Sequence, residues 1–289
     1  PIEGLDIKYL FSSNTYNQVR GYYETQQHKS TWKDGKNGYA SRGSTRSNED
    51  LSELTVQWRK TIFEDHSFTL LGGYSWQKTH YQNFYMQNFN FPSNDYTYNN
   101  MGTGQALKDG RGTEYSTANE SKLIGYFGRL NYNFKERYLF EANVRFDGSS
   151  RFAKGNRWGI FPSFSGAWRL TEEPFMQDVR RTLSEFKIRA SYGISGNQGI
   201  SAYQTLSRYG QHKYFNGGKW VTAIGPGYQS GYTGQDGIYA LWSGIPNKGL
   251  KWETTAQVDL GLDMSFFGNR LNVTFDWYDK RTSDLLRER

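Results

Sequence analysis

The 289-residue chain has no cysteine, which excludes a disulfide framework and any thiolate-ligated metal site. It lacks any run near the roughly 18 consecutive apolar residues of a membrane-crossing helix. Near Pro1 there is no basic segment followed by an apolar one, as an export leader would show. One-sided charge is missing too: 35 Lys and Arg stand against 28 Asp and Glu. Both signs are spread along the chain, which suits solvated surface or a polar lumen rather than a nucleic-acid footprint. What the chain has in quantity is aromatic residues, at 17%. A disordered tail is typically poor in them.

Chemistry-bearing constellations are also missing. His28, His66, His80 and His212 lie in separate loops or turns with no i, i+4 pairing, so no metal site is expected. Gly155-Asn156-Arg157-Trp158-Gly159 lacks the phosphate-loop spacing, and Phe146-Asp147-Gly148-Ser149 lacks the alternating carboxylates of a calcium loop. Neither Ser165-Gly166 nor Ser195-Gly196 forms a nucleophile elbow. Glu172-Glu173 reads as a solvated turn. No catalytic residue and no cofactor are expected, and the chain does not read as an enzyme.

The dominant signal is a period of two. From Trp252 to Phe266 the even positions are mostly apolar, and the odd positions are polar or Gly. That is a strand with one wet face and one apolar face, longer than the usual five or six residues. The pattern recurs at 68–76, 138–146, 186–194 and 271–278, and more roughly at 4–13, 51–61, 120–133 and 157–169. About nine strands result, with no amphipathic helix of useful length. Short connections at 62–66, 134–137 and 267–270 and a medium one at 170–184 alternate with longer segments at 25–50, 78–119, 147–156 and 196–249. Long loops on one side and short turns on the other describe an antiparallel transmembrane β-barrel of the outer-membrane type. Tyr138, Trp158, Trp168, Trp252 and Trp277 suit its interfacial girdles. A soluble or surface-anchored all-β glycan-binding protein, whose strands also alternate, is the competing reading. Nine strands do not close a single-chain barrel, and lipid does not tolerate an open edge, so residues 1–289 are expected to be part of a longer wall.

Three segments carry a more specific likeness: FDGSSRFAKGNRWGIFPSFSGAWRLTEEPFM (146–176), LSEFKIRASYGISGNQGISAYQ (183–204) and NKGLKWETTAQVDLGLDMSFFGNRLNVTFDWYDKRTSDLL (247–286). Together they resemble the SusC/RagA family of TonB-dependent outer-membrane transporters of Bacteroidetes. That resemblance implies a barrel of about 22 strands, a plug inside it and a SusD-like lipoprotein over its mouth. It also implies import of oligosaccharides or peptides, driven through TonB, ExbB and ExbD. The TonB box and plug have no counterpart in this sequence, so the expected role belongs to the longer protein in the bacterial outer membrane.

Two groups of residues could meet a ligand. The segment 196–249 is rich in Gly and aromatics, and Tyr214, Trp220, Tyr228, Tyr239 and Trp242 could stack on sugar rings or pack peptide side chains. Their alternative role is to pack the loop against itself or a lid. Strand parity places Arg129, Glu141, Arg145, Asp147, Lys187 and Arg189 in the lumen, to line a path, contact a plug or fill a polar interior. The stretch DGSSRFAKGNR (147–157) reads as a short extracellular connection whose Gly and Ser residues serve the tight reversal.

Overall fold

The computed structural model describes residues 2–226, 228–229, 241–242 and 246–286. Seven wall strands come first: β1 (Leu5–Glu24), β2 (Tyr39–Ile62), β3 (His66–Phe89), β4 (Thr113–Phe134), β5 (Tyr138–Ser149), β6 (Trp158–Arg169) and β7 (Leu183–Asn197). A hairpin, β8 (Tyr209–Asn216) and β9 (Lys219–Pro226), and a two-residue pair, β10 (Tyr228–Gln229) and β11 (Leu241–Trp242), follow. The wall resumes with β12 (Glu253–Phe266) and β13 (Leu271–Ser283). The nine wall strands form one open antiparallel sheet in the order β1-β2-β3-β4-β5-β6-β7-β12-β13.

Register keeps one side-chain set on each face through the whole sheet. Opposite Val258 lie Tyr192 and Asp279, and opposite Leu260 lie Ala190 and Trp277. Opposite Asp263 lie Lys187 and Thr274. A slip of one residue would exchange the two faces. Nothing among the described residues covers the apolar face. Leu260, Phe275 and Trp277 are 49%, 59% and 49% exposed, whereas a soluble sandwich would bury such positions under a second sheet. A bilayer is the remaining apolar partner, and the fold is that of a partial outer-membrane barrel.

The strands differ in length for a physical reason. β5, β6, β7, β12 and β13 run 12 to 15 residues, close to what a tilted strand needs to cross hydrocarbon. β1 to β4 run 20 to 24. On β3 the outward set is Phe68, Leu70, Tyr74 and Trp76, then Lys78, His80 and Gln82. The band ends at Trp76, and the remaining dozen or so residues reach roughly 40 Å further into water. The stretches 39–50, 78–89 and 113–119, expected as loop, are therefore strand. Polar residues dominate both faces there, with Phe84 and Met86 as outward exceptions on β3, so hydropathy carries no sustained period although the backbone ladder continues without a break. The loops proper are 25–38 and 90–112. They cap the extension with a small core of Ala40, Phe91 and Met101. Asn88, fully buried, donates to the Met101 and Gly104 carbonyls at 2.8 and 2.9 Å and accepts from the Leu107 amide at 2.9 Å.

The opposite rim is made of tight reversals. Phe63, Glu64, Lys135 and Glu136 all take left-handed φ, between 51° and 61°, matching the right-handed twist of the strands they join. In the longer turn between β6 and β7, Glu173 is only 7% exposed. The Tyr138 hydroxyl donates to its carboxylate at 2.6 Å and the Trp168 indole at 3.0 Å. The Arg137 guanidinium stands 3.5 Å from the other oxygen. A single turn carboxylate thus ties two girdle aromatics together.

Two predictions follow from this geometry. Leu260→Arg places a cation mid-band and should cost about 2–4 kcal/mol in denaturant unfolding of the vesicle-inserted full-length protein, whereas Gln257→Lys on the other face should leave the midpoint nearly unchanged. Equal effects would contradict the assigned faces. The Tyr138 hydroxyl, then the Trp168 indole, with the Arg137 cation, hold the Glu173 carboxyl below its usual value. A carboxyl depressed on folding stabilises above its unfolded pKa of about 4.3, and that contribution is lost as pH falls through the lower folded value. Glu173→Gln should therefore flatten the acid limb of stability against pH. An unchanged limb would contradict the account.

Candidate functional site

The long-loop rim is organised by the hairpin between β5 and β6. β6 pairs with β7 only from Ser163 to Arg169. Pro162, which has no N–H to give, marks where that pairing stops, and above it the two strands part. A buried cluster of Phe152, Phe161, Ile200 and Trp252 fills the notch, with Leu123, Ile194, Leu250 and Leu286 packed around it. The Trp252 ring lies 5.3 Å from Phe152 and 5.2 Å from Phe161, tilted and edge-on.

Hydrogen bonds then clamp both ends of the segment joining β7 to β12. Arg151 Nη1 donates to the Gln198 and Ile200 carbonyls at 3.3 and 3.0 Å. Asn156 Nδ2 donates to the Lys248 and Leu250 carbonyls at 3.2 and 3.3 Å, and Trp252 Nε1 donates to the Arg157 carbonyl at 2.9 Å. All five acceptors are backbone oxygens, and the segment's own side chains Ile200, Leu250 and Trp252 complete the grip at its two ends.

Among residues expected to bind ligand, Tyr214, Trp220, Tyr228 and Trp242 fall in β8, β9, β10 and β11. Their side chains, and the whole of Tyr239, lie outside the described residues. The six charged residues assigned to the polar face fall into three groups. Arg145 Nε meets both Asp147 oxygens at 2.9 and 2.7 Å, and its guanidinium sits 5.5 Å over the Phe127 ring. Arg189 bridges Asp263, at 2.8 and 2.9 Å, to Asp276 at 2.8 Å, with Lys187 3.6 Å from Asp263. Arg129 donates to Asn143 at 2.7 Å, which donates to Glu141 at 2.7 Å.

Both arginine clusters are laid across a glycine. A Cβ on Gly125 would meet Asp147 Oδ1 at 2.5 Å and Arg145 Nη2 at 2.8 Å. A Cβ on Gly261 would meet Arg189 Cζ at 2.6 Å. The missing side chains let the ion pairs lie flat against the sheet and leave open space beyond it. That space includes a cavity of about 690 Å³ lined by Glu141, Ser165, Lys187, Arg189, Ser191 and Asp259, among others. Its walls carry cations, anions and hydroxyls in balance. This arrangement can hydrogen-bond a polar surface but contains no nucleophile with a positioned base.

The rim cluster is what sequence reasoning missed. Trp252 reads by parity as an apolar-face girdle residue, yet it is buried in the notch. A signal was present: Phe161 is an aromatic at a polar-face position, between Gly159 and Ser163, directly before a proline within a strand.

A family model described as TonB dependent receptor-like, beta-barrel matches residues 3–288. TonB-dependent receptor P3 of Formosa agariphila is 34% identical over 286 residues, 99% of this chain and 26% of that protein. TonB-dependent receptor SusC of Bacteroides thetaiotaomicron is 40% identical over 181 residues, 60% of this chain and 16% of SusC. A solved structure of the RagAB peptide transporter superposes with a TM-score of 0.81 at 23% identity, over 99% of this chain and 29% of that one. The chain therefore spans about a quarter of the first of these curated relatives. Phe152→Ala should lower unfolding stability of the full-length protein by about 3–5 kcal/mol, while exposed Lys154→Ala should leave it unchanged. A near-neutral Phe152 variant would contradict the clamp.

Proposed function

Because the chain belongs to the TonB dependent receptor-like β-barrel family, we propose that the protein whose wall it forms imports oligosaccharides or peptides across a bacterial outer membrane. The observation that carries this is the two-sided sheet. It has an uncovered apolar band on one face, and on the other ion pairs and hydroxyls around an open polar space. Such a wall separates lipid from a water-lined passage, and its work is binding and passage without covalent chemistry. The likeness to SusC supports a SusD-like lipoprotein over the mouth and energisation through TonB, ExbB and ExbD. The likeness to RagAB is one of fold, so the choice between glycan and peptide is left to experiment.

The clamped rim has a place in this reading. The segment between β7 and β12 would carry substrate-contacting aromatics, Tyr214, Trp220, Tyr228, Tyr239 and Trp242, on a base held by backbone acceptors. The lumen residues Arg129, Glu141, Arg145, Asp147, Lys187 and Arg189 would line the path or meet a plug.

The full-length protein should fractionate with outer membranes, migrate heat-modifiably on a gel and retain a lipoprotein partner through purification. Deleting its gene should abolish growth on one class of polymer, glycan or protein hydrolysate, and restoring it should rescue growth only when TonB is functional. A soluble product, or rescue independent of TonB, would sink the reading.

A further inference from the structure

The polar face of the extension formed by β1 to β4 has a different chemistry from the charged wall below it. Four tyrosines cross it, one from each strand: Tyr22, Tyr39, Tyr85 and Tyr115. Their contacts are continuous. The Tyr22 and Tyr39 rings are 6.2 Å apart, the Tyr39 and Tyr85 hydroxyls 3.3 Å apart, and the Tyr85 and Tyr115 rings 5.4 Å apart. Gln87 Oε1 accepts from the Tyr39 hydroxyl at 2.8 Å and from the Tyr85 hydroxyl at 3.2 Å, and Gln87 Nε2 donates to Thr113 Oγ1 at 2.9 Å. The rings are thus held in place, while Tyr22 and Tyr115 remain 51% and 50% exposed. Nearer the membrane Asn83 Nδ2 donates to the Tyr81 hydroxyl at 3.1 Å and to Thr45 Oγ1 at 3.4 Å, and Asn83 Oδ1 is buried with no partner.

The middle of this surface is uncharged. Across β3 and β4 its polar-face positions are Thr79, Tyr81, Asn83, Tyr85 and Gln87, opposite Ser121, Asn119, Thr117, Tyr115 and Thr113. Charges stand at its margins: Lys36 lies 5.5 Å over the Tyr39 ring, the Tyr22 hydroxyl donates to Glu24 at 2.8 Å, and Arg20 and Glu49 belong to β1 and β2.

We propose that this tyrosine ridge is a binding surface for a neutral oligosaccharide. Exposed, immobilised phenol rings offer flat faces to the apolar faces of sugar rings. The amide and hydroxyl side chains between them pair with sugar hydroxyls at little cost in ordering. The central positions of β3 and β4 offer a charged ligand no counter-ion; the cation of this row, Arg20, stands on β1 beyond Gly43. The inference rests on the import reading and sharpens its substrate class, placing first contact on the extension, outside the bilayer.

The test uses detergent-purified full-length protein and calorimetric titration with unbranched hexasaccharides of glucose, mannose and xylose. Oligogalacturonate and a neutral peptide digest serve as comparators. At least one neutral hexasaccharide should bind. Tyr85→Ala with Tyr115→Ala should weaken it about tenfold, whereas Tyr85→Phe with Tyr115→Phe, which keeps both rings, should stay near wild type. Heat-modifiable migration confirms that each variant folds. The proposal is overturned if no hexasaccharide binds, if the double Ala variant binds as tightly as wild type, or if only oligogalacturonate or peptide binds. Peptide binding together with TonB-dependent peptide uptake would leave the import reading standing and remove the neutral glycan alone.

Discussion

Hydrocarbon offers no hydrogen-bond partner, so each backbone N–H and C=O inside a bilayer must be satisfied by the protein itself. The ladder that does this makes the rest of the structure necessary. A strand must alternate because one face meets lipid and the other does not. Strands must follow one another as near neighbours, which the order β1 to β7, then β12 and β13, respects. Pro162 sits within β6 at the point where pairing with β7 ends. Where the ladder lapses, something else must close the gap. The Phe152–Phe161–Trp252 cluster fills the notch with apolar bulk, and Arg151 and Asn156 supply donors to carbonyls that have left the sheet.

Beyond the bilayer the constraint changes kind. Water can satisfy the backbone, and the outward face of β1 to β4 turns mostly polar past Phe11, Leu54, Trp76 and Ile124, with Val19, Phe84 and Met86 as isolated apolar positions. A four-stranded ribbon in water still needs an apolar core to hold its far end. Ala40, Phe91 and Met101 provide a small one, with Asn88 saturating the carbonyls of the covering loop.

Legibility in the sequence follows the same division. From Glu253 to Phe266 every residue has one of two environments, so parity alone assigns the faces. From Asp50 back to Tyr39 and from Lys78 on to Phe89 both faces meet water. Alternation vanishes there while pairing persists, and hydropathy mistook strand for loop. The rim cluster escaped for the opposite reason. Phe152, Phe161, Ile200 and Trp252 lie as far as 100 residues apart, and only the three-dimensional closure of the notch makes them neighbours. The polar-face ion pairs lie between. Parity put Arg145, Asp147 and Arg189 on one face, but the glycines that let them lie flat show their purpose only when Gly125 and Gly261 are seen beneath them.

Charge and neutrality are segregated along the strands, and the reason is electrostatic. On the wall behind the band, a lone charge near low dielectric is costly, so Arg145 is matched to Asp147 two residues along β5, and Arg189 to Asp263 on β12 and Asp276 on β13. Matched pairs give this face polarity without a net field of either sign. On the extension, water screens charge and removes that need, yet the ridge of tyrosines is uncharged at its centre. Neutrality there is not imposed by the membrane. It is the property that the proposed neutral-oligosaccharide surface requires, and water on both faces leaves room for it.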